Sequence, residues 1–267
     1  MNPSTSSGEA VFGSIVGQVA LVTGAGSSEG IGFAIARALA GLGATVAIAA
    51  TSDRIHARAA EIGRSASGHV ADLTDEDAMA ALVAEVVARH GSISIVVNNA
   101  GMTSTAAGTD AAKPLETHTL GEWNDTMARN LNTAFLVCRA TVPAMRAAGY
   151  GRIINVASTS GPLSAFPDGS AYAAAKAGMV GMTRALAIET AAAGITVNAV
   201  APGWIRTSST TDLEHRAGAA APVGRSGTPD EIAAAVAFLA TPSASYITGT
   251  MLVIDGGNAI AEDHSHG

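Results

Sequence analysis

Tyr172 and Lys176 stand four residues apart, and Ser158 precedes the tyrosine by fourteen. On a helix, positions four apart share a face. An ammonium one turn from a phenol favours the phenolate and draws the phenol pKa down from its ordinary value of about 10. Such a tyrosine exchanges a proton with an alcohol or ketone oxygen near neutral pH. A serine hydroxyl at the end of a preceding strand can hydrogen-bond the same oxygen. An isolated Tyr-x-x-x-Lys fits an ordinary exposed helix equally well, so the rest of the chain decides.

The elements that must hold these residues are legible. Arg152 to Ala157 is a buried strand ending at Ser158, and Ala171 to Ala193 is the helix carrying Tyr172 and Lys176. Near the N-terminus, Gln18 to Thr23 is an apolar strand, and a turn from Gly24 to Gly32 leads into a periodic helix from Phe33 to Leu42. Strand, glycine-rich turn and helix together form a phosphate-site pattern: glycines admit the ligand to the backbone, and the helix N-terminus supplies N–H groups and partial positive charge. Further strands are expected at Thr45 to Ala50, His69 to Asp72, Ile93 to Val97, Ile195 to Val200 and Met251 to Ile254. Helices are expected at Arg54 to Gly63, Asp75 to His90, Pro229 to Ala240 and, as one long rod containing Asn130, Glu122 to Arg146. Ser208 to Arg225 has no clear period and reads as a loop or lid. Alternating strands and helices imply an α/β fold of about seven parallel strands, covered on both faces.

Composition agrees. With only 14% charged and 4% aromatic residues, a large core must be built from Ala, Val, Ile and Leu. A net charge of −7 argues against a nucleic-acid partner, which would want a basic face. No uncharged apolar run reaches the ~18 residues a membrane span needs, and no secretory leader pattern opens the chain. Cys138, the only cysteine, lies in an apolar helical pattern and reads as a buried hydrophobe. A cytoplasmic protein is expected, with mobile tails at 1–13 and 258–267 around one domain at 14–257. His264 and His266, beside Glu262 and Asp263, form no spaced ligand cluster, so no metal site is expected.

Taken together, the glycine-rich turn, Asn98-Asn99-Ala100-Gly101, Asn130, Ser158, Tyr172-x-x-x-Lys176 and Pro202-Gly203-x-Ile205-x-Thr207 resemble the short-chain dehydrogenase/reductase family, over about Gly17 to Gly257. The branch most similar in look is that of the 3-oxoacyl-carrier-protein reductases. The resemblance implies a single-domain, doubly wound Rossmann fold and an NAD(P)-dependent oxidoreductase acting on a secondary alcohol or ketone. It implies that Tyr172 is the acid in reduction and the base in oxidation. Lys176 lowers its pKa and holds the nicotinamide ribose, Ser158 polarises the substrate oxygen, and Asn130 holds a relay water. Gly24, Gly30, Ile31 and Gly32 would bind phosphate, and Asp72 and Leu73 would flank the adenine. Asn98, Asn99, Ala100 and Gly101 would line the adenine-ribose side. Pro202, Gly203, Ile205 and Thr207 would meet the nicotinamide end.

Two departures stand out. Five residues, Ala25 to Glu29, separate Gly24 from Gly30, two more than is usual in the family, which leaves the contacts of Ser27, Ser28 and Glu29 to be found. One extra residue falls between Gly161 and Gly169, in a wall of the cleft. No carboxylate stands at Ala50, Thr51 or Ser52, the end of the second strand, which allows NADP(H), and Arg54 could reach a 2′-phosphate. Glu29 in the turn would disfavour that phosphate and tips the reading toward NAD(H).

The neighbourhoods that hold an acidic carrier in the reductase branch read Ala147-Ala148-Gly149-Tyr150 and Ala191-Ala192-Ala193-Gly194 here, leaving Arg146 and Arg152. That thinning favours a free, bulky or aromatic small molecule, with a 3-oxoacyl thioester as the alternative. Ser158, Ser160, Leu163, Phe166, Tyr172 and Trp204 are the expected substrate contacts, with Met102 and Pro167 as further walls. A non-catalytic cofactor-binding protein is the remaining class, disfavoured because Ser158, Tyr172 and Lys176 are all kept. A homotetramer built on the helices around Asn130 and Tyr172 is expected.

Overall fold

The computed structural model describes residues 13–101 and 113–261. Met102, most of the N-terminal tail and the histidine-containing C-terminal tail lie outside the described residues. The strands are β1 (Val19–Thr23), β2 (Thr45–Ala50), β3 (Ala66–Val70), β4 (Ile95–Asn98), β5 (Gly151–Val156), β6 (Ile195–Pro202) and β7 (Met251–Ile254). They form one sheet in the order β3-β2-β1-β4-β5-β6-β7, and every pairing is parallel. The order reverses between β1 and β4, so a crevice opens beyond their carboxyl ends. Gly24 follows β1 and Asn99 follows β4, on either side of it.

The helices are α1 (Ile31–Gly41), α2 (Arg54–Ile62), α3 (Glu76–His90), α4 (Leu120–Met127), α5 (Thr133–Ala148), α6 (Ser170–Thr190), α7 (Asp212–Ala219) and α8 (Pro229–Ala240). Strand residues alternate between two cores. Val22, Ile48, Val97 and Ile154 pack with Ile35 and Leu39 of α1 and Ile232 and Val236 of α8. Leu21, Val96, Ile153 and Val197 pack with Met79 and Leu82 of α3 and Val137 and Met145 of α5. Burial on both faces explains why the central strands read as continuous apolar runs. Thr119, Thr211 and Thr228 each begin a helix by a reciprocal cap with the glutamate three residues on.

The structure corrects several boundaries. β3 runs Ala66–Val70 rather than His69 to Asp72, because its buried positions are polar: Ser67 and His69 are each 2% exposed. Their polar atoms are served within the fold, Ser67 Oγ lying 2.8 Å from both His69 Nε2 and His90 Nε2. The expected rod from Glu122 to Arg146 is α4, a five-residue π-helical segment (Ala128–Asn132) and α5. The span read as an unstructured lid contains α7, whose only large apolar residue, Leu213, is 71% exposed and leaves no periodic stripe to read. Asn258–Ile260 close in a single 3₁₀ turn on Asp255, rather than beginning a loose tail.

Candidate active site

α6 carries Tyr172 and Lys176 on successive turns. Lys176 is buried, and its Nζ donates to the Val156 carbonyl oxygen at 3.0 Å while standing 5.7 Å from the Tyr172 ring centre. Burial pushes the Lys176 pKa down to about 8. The phenol moves the other way. Withdrawal from water raises its pKa above the ordinary value, a hydrogen bond with Ser158 offsets part of the rise, and the Glu214 carboxylate on α7 adds to it. The net direction is thus opposite to the lowering expected from Lys176. The ammonium lies over the ring, bonded to a backbone carbonyl, and desolvation outweighs it.

Ser158 follows β5, and its Oγ accepts from the Ser160 amide at 3.1 Å. Asn130 lies fully buried in the π-helical segment, its Nδ2 donating to the Thr126 carbonyl at 3.1 Å. The widened turn carries Asn130 inward to the end of β4. A Cβ added to Gly101 would sit 2.8 Å from Asn130 Oδ1 and 3.3 Å from Lys176 Nζ. Ser158, Tyr172, Lys176 and Asn130 thus converge beyond the carboxyl ends of β4 and β5, beside the crevice.

The glycine turn fits a dinucleotide diphosphate. Gly24 has φ +69°, and a Cβ there would lie 2.8 Å from Ala100 Cα; one on Gly32 would lie 2.5 Å from Asn99 Nδ2. Asn99 Nδ2 donates to the carbonyls of Thr23 and Gly24 at 3.0 Å. No side chain caps the first turn of α1, which leaves its N–H groups for an anion. Asn99 therefore braces the turn, with Ala100 against it. Asn98 is 3% exposed and donates to Asn155 Oδ1 at 2.8 Å, so it is a strut beneath the sheet and does not line the ribose side.

The other expected contacts divide. Thr51 and Ser52 follow β2, where Arg54 Nε donates to Ser52 Oγ at 3.3 Å. Glu29 and Ser28 line a cavity of about 520 Å³ together with Arg37, Arg206 and Thr207. Ser27 Oγ hydrogen-bonds Ser208 Oγ at 3.1 Å, so the longer turn touches the base of the lid. Ile31 opens α1, packed against the core. Asp72 lies exposed beyond β3, its pKa held down by hydrogen bonds from the Thr74 hydroxyl and amide. Leu73 is turned into the core, which leaves only its backbone for an adenine. Pro202 ends β6, and Gly203 allows close approach to β7, since a Cβ there would lie 2.6 Å from Asp255 Cβ. Ile205 bridges to Gly227, and the Thr207 amide donates to Thr210 Oγ1 at 2.7 Å. The Phe166 ring centre is 6.2 Å from that of Tyr172, whereas Leu163 is 49% exposed at the rim. Ser160 pairs with Ser164 in the same loop, and Trp204 is half-buried.

Of the two arginines of the thinned basic patch, Arg152 is buried and Arg146 is exposed. Arg152 is 3% exposed, its Nη1 donating to the Gly151 carbonyl at 2.8 Å and its guanidinium stacked 4.4 Å over the Tyr150 ring. Arg146 Nη2 donates to the Glu189 carbonyl at 2.6 Å. Two participants went unread in the sequence. Thr23 Oγ1 accepts from the Asn99 and Ala100 amides at 3.0 Å and so ties β1 to β4. Glu214 acts on Tyr172 from the lid. Its capping pattern, Thr211-x-x-Glu214, was the available signal.

A family model described as enoyl-(acyl carrier protein) reductase matches residues 24–259. The 3-oxoacyl-[acyl-carrier-protein] reductase FabG of Escherichia coli K12 is 42% identical over 246 residues, covering 90% of this chain and 97% of that protein. Its namesake from Chlamydia muridarum is 38% identical over 254 residues, 92% of this chain and 98% of that one. Among solved structures, levodione reductase superposes with a TM-score of 0.85 at 34% identity, over 92% of this chain and 99% of the other. A putative gluconate dehydrogenase from Agrobacterium tumefaciens does so with 0.85 at 30%, over 93% and 98%. The chain belongs to the short-chain dehydrogenase/reductase family, Rossmann-fold oxidoreductases that act on alcohol and ketone groups with a nicotinamide cofactor.

Proposed function

We propose that this enzyme reduces the 3-keto group of a 3-oxoacyl thioester with NADPH. The observation that carries the redox chemistry is the convergence of Ser158, Tyr172, Lys176 and Asn130 beside the glycine cradle. The thioester reading is supported by the names of the curated relatives, and it replaces the free aromatic ketone expected from the sequence.

When bound, the nicotinamide supplies the hydride. The hydroxyls of Ser158 and Tyr172 hold the carbonyl oxygen between them, and that oxygen takes its proton from Tyr172. The raised phenol pKa suits this acid role, because Tyr172 stays protonated through the neutral range. Lys176, with a pKa of about 8, returns a proton to the tyrosine, and Asn130 holds the relay to solvent.

For the cofactor, Arg54 stands beside Ser52 after β2, with the exposed Asp53 between them in the chain, and Glu29 lines the cavity shared with Arg37 and Arg206. That arrangement supports NADP(H) and reverses the lean to NAD(H). A free ketone is the second reading. It is favoured by the burial of Arg152 inside the fold and by the likeness to levodione reductase.

Initial rates on an acetoacetyl thioester and on a cyclic diketone, each with NADPH and NADH, test both choices. Faster turnover of the thioester with NADPH is expected. Turnover of the diketone alone would overturn the thioester reading, and a preference for NADH would overturn the role given to Arg54.

A further inference from the structure

We propose that Arg206 is a cofactor-diphosphate residue, reaching the anion from the lid side while the glycine turn holds it from the other. The inference rests on the nicotinamide-dinucleotide reading above and adds a contact that follows from this chain's own turn and lid.

The position of Arg206 is fixed from two directions. Its amide donates to the Gly227 carbonyl at 2.9 Å, beside the Ile205–Gly227 bridge. Two residues on, Ser208 Oγ meets Ser27 Oγ of the glycine turn at 3.1 Å. Arg206 therefore starts the lid where the lid touches the turn. The cavity between them, about 520 Å³, is lined by Ser28, Glu29, Gly30, Arg37, Arg206 and Thr207 among others. Gly30 is the N-cap of α1, which no side chain caps.

The charges in this groove are unevenly spent. Arg37 pairs with Asp230 at 2.8 Å. Arg225, which lines the adjoining cavity with Arg206, grips Glu231 at 2.8 and 3.0 Å. Among the described residues Arg206 makes no ion pair and no side-chain hydrogen bond. Its planar guanidinium matches phosphate oxygens two at a time. Two carboxylates line the cavity: Asp230, which is paired with Arg37, and Glu29, which Arg206 offsets. The longer turn and the cation on the lid thus act as a pair: the turn carries a carboxylate, and the lid supplies the cation that restores anion affinity.

Isothermal titration of the full-length protein with NADP⁺ and NAD⁺ at two salt concentrations tests this without turnover. Arg206→Ala is expected to raise Kd by about fivefold and to flatten its salt dependence, with Arg206→Lys recovering part of the loss. Arg225→Ala, whose cation is already paired, is expected to bind as the unmodified enzyme does. An Arg206→Ala protein with unchanged Kd and salt dependence overturns the assignment, as does an equal loss in Arg225→Ala. If the unmodified protein binds neither dinucleotide, the cofactor reading itself fails, which is a different result from failure of Arg206 alone.

Discussion

Lys176 shows what the site costs the fold. Burial holds its pKa near 8, against 10.5 in an exposed chain, so the folded state binds fewer protons than the unfolded state between those values. Stability should therefore rise with pH across that window, and below pH 8 the full penalty of a buried ammonium remains. Lys176→Met is expected to stabilise the protein at pH 7 by about 1 kcal/mol, as functional charges commonly do on removal, while abolishing turnover. Urea unfolding at pH 7 and pH 10 checks this, and a destabilised variant at pH 7 would contradict it. Tyr172 adds a second pH dependence. Its raised pKa keeps the phenol as an acid near neutrality, so oxidation of the alcohol should need more alkaline conditions than reduction of the ketone. At this scale the sequence was readable for identities and not for environments. Tyr172, Lys176 and Ser158 announce themselves by spacing. The opposite shifts of the phenol and the ammonium come from burial, which no local pattern encodes.

At the scale of elements, the glycine turn, α6 and the parallel strands were legible because their signals are short-range. What escaped depends on partners far along the chain. The π-helical segment places Asn130, yet a 3.6-residue period runs through its sequence without a break. Ser67 and His69 hid β3, since buried polar positions invert the expected alternation. Thr23 is tied to residues more than 70 positions away. The lid helix α7 is eight residues long with Leu213 outside, so its cap at Thr211 carries much of its local stability. Thr211→Ala is expected to cost that helix about 1 kcal/mol. Because the lid is at the weak end of the stability range, global Tm should move by only about 1 °C. Faster amide exchange over 212–219 and a raised KM are the expected readouts; unchanged exchange there would contradict the account.

For the whole molecule, the reversal of strand order between β1 and β4 is the organising fact. It brings the cradle after β1, the brace after β4 and the acid on α6 to one crevice. Among the described residues, no helix is long and apolar enough to cross a membrane. The surface leaves Leu120 of α4 74% exposed, Phe135 of α5 48% and Ile188 of α6 83%, on the helices proposed to build a homotetramer. Light scattering at micromolar concentration should give the tetramer mass, and a monomer would contradict that proposal. The most direct test of the central claim is Tyr172→Phe, assayed for turnover and for dinucleotide binding on the same preparation. Reduction should fall by at least about a hundredfold while Kd stays within about twofold. An unimpaired rate would contradict the assignment of Tyr172 as the proton donor, and with it the account of the site.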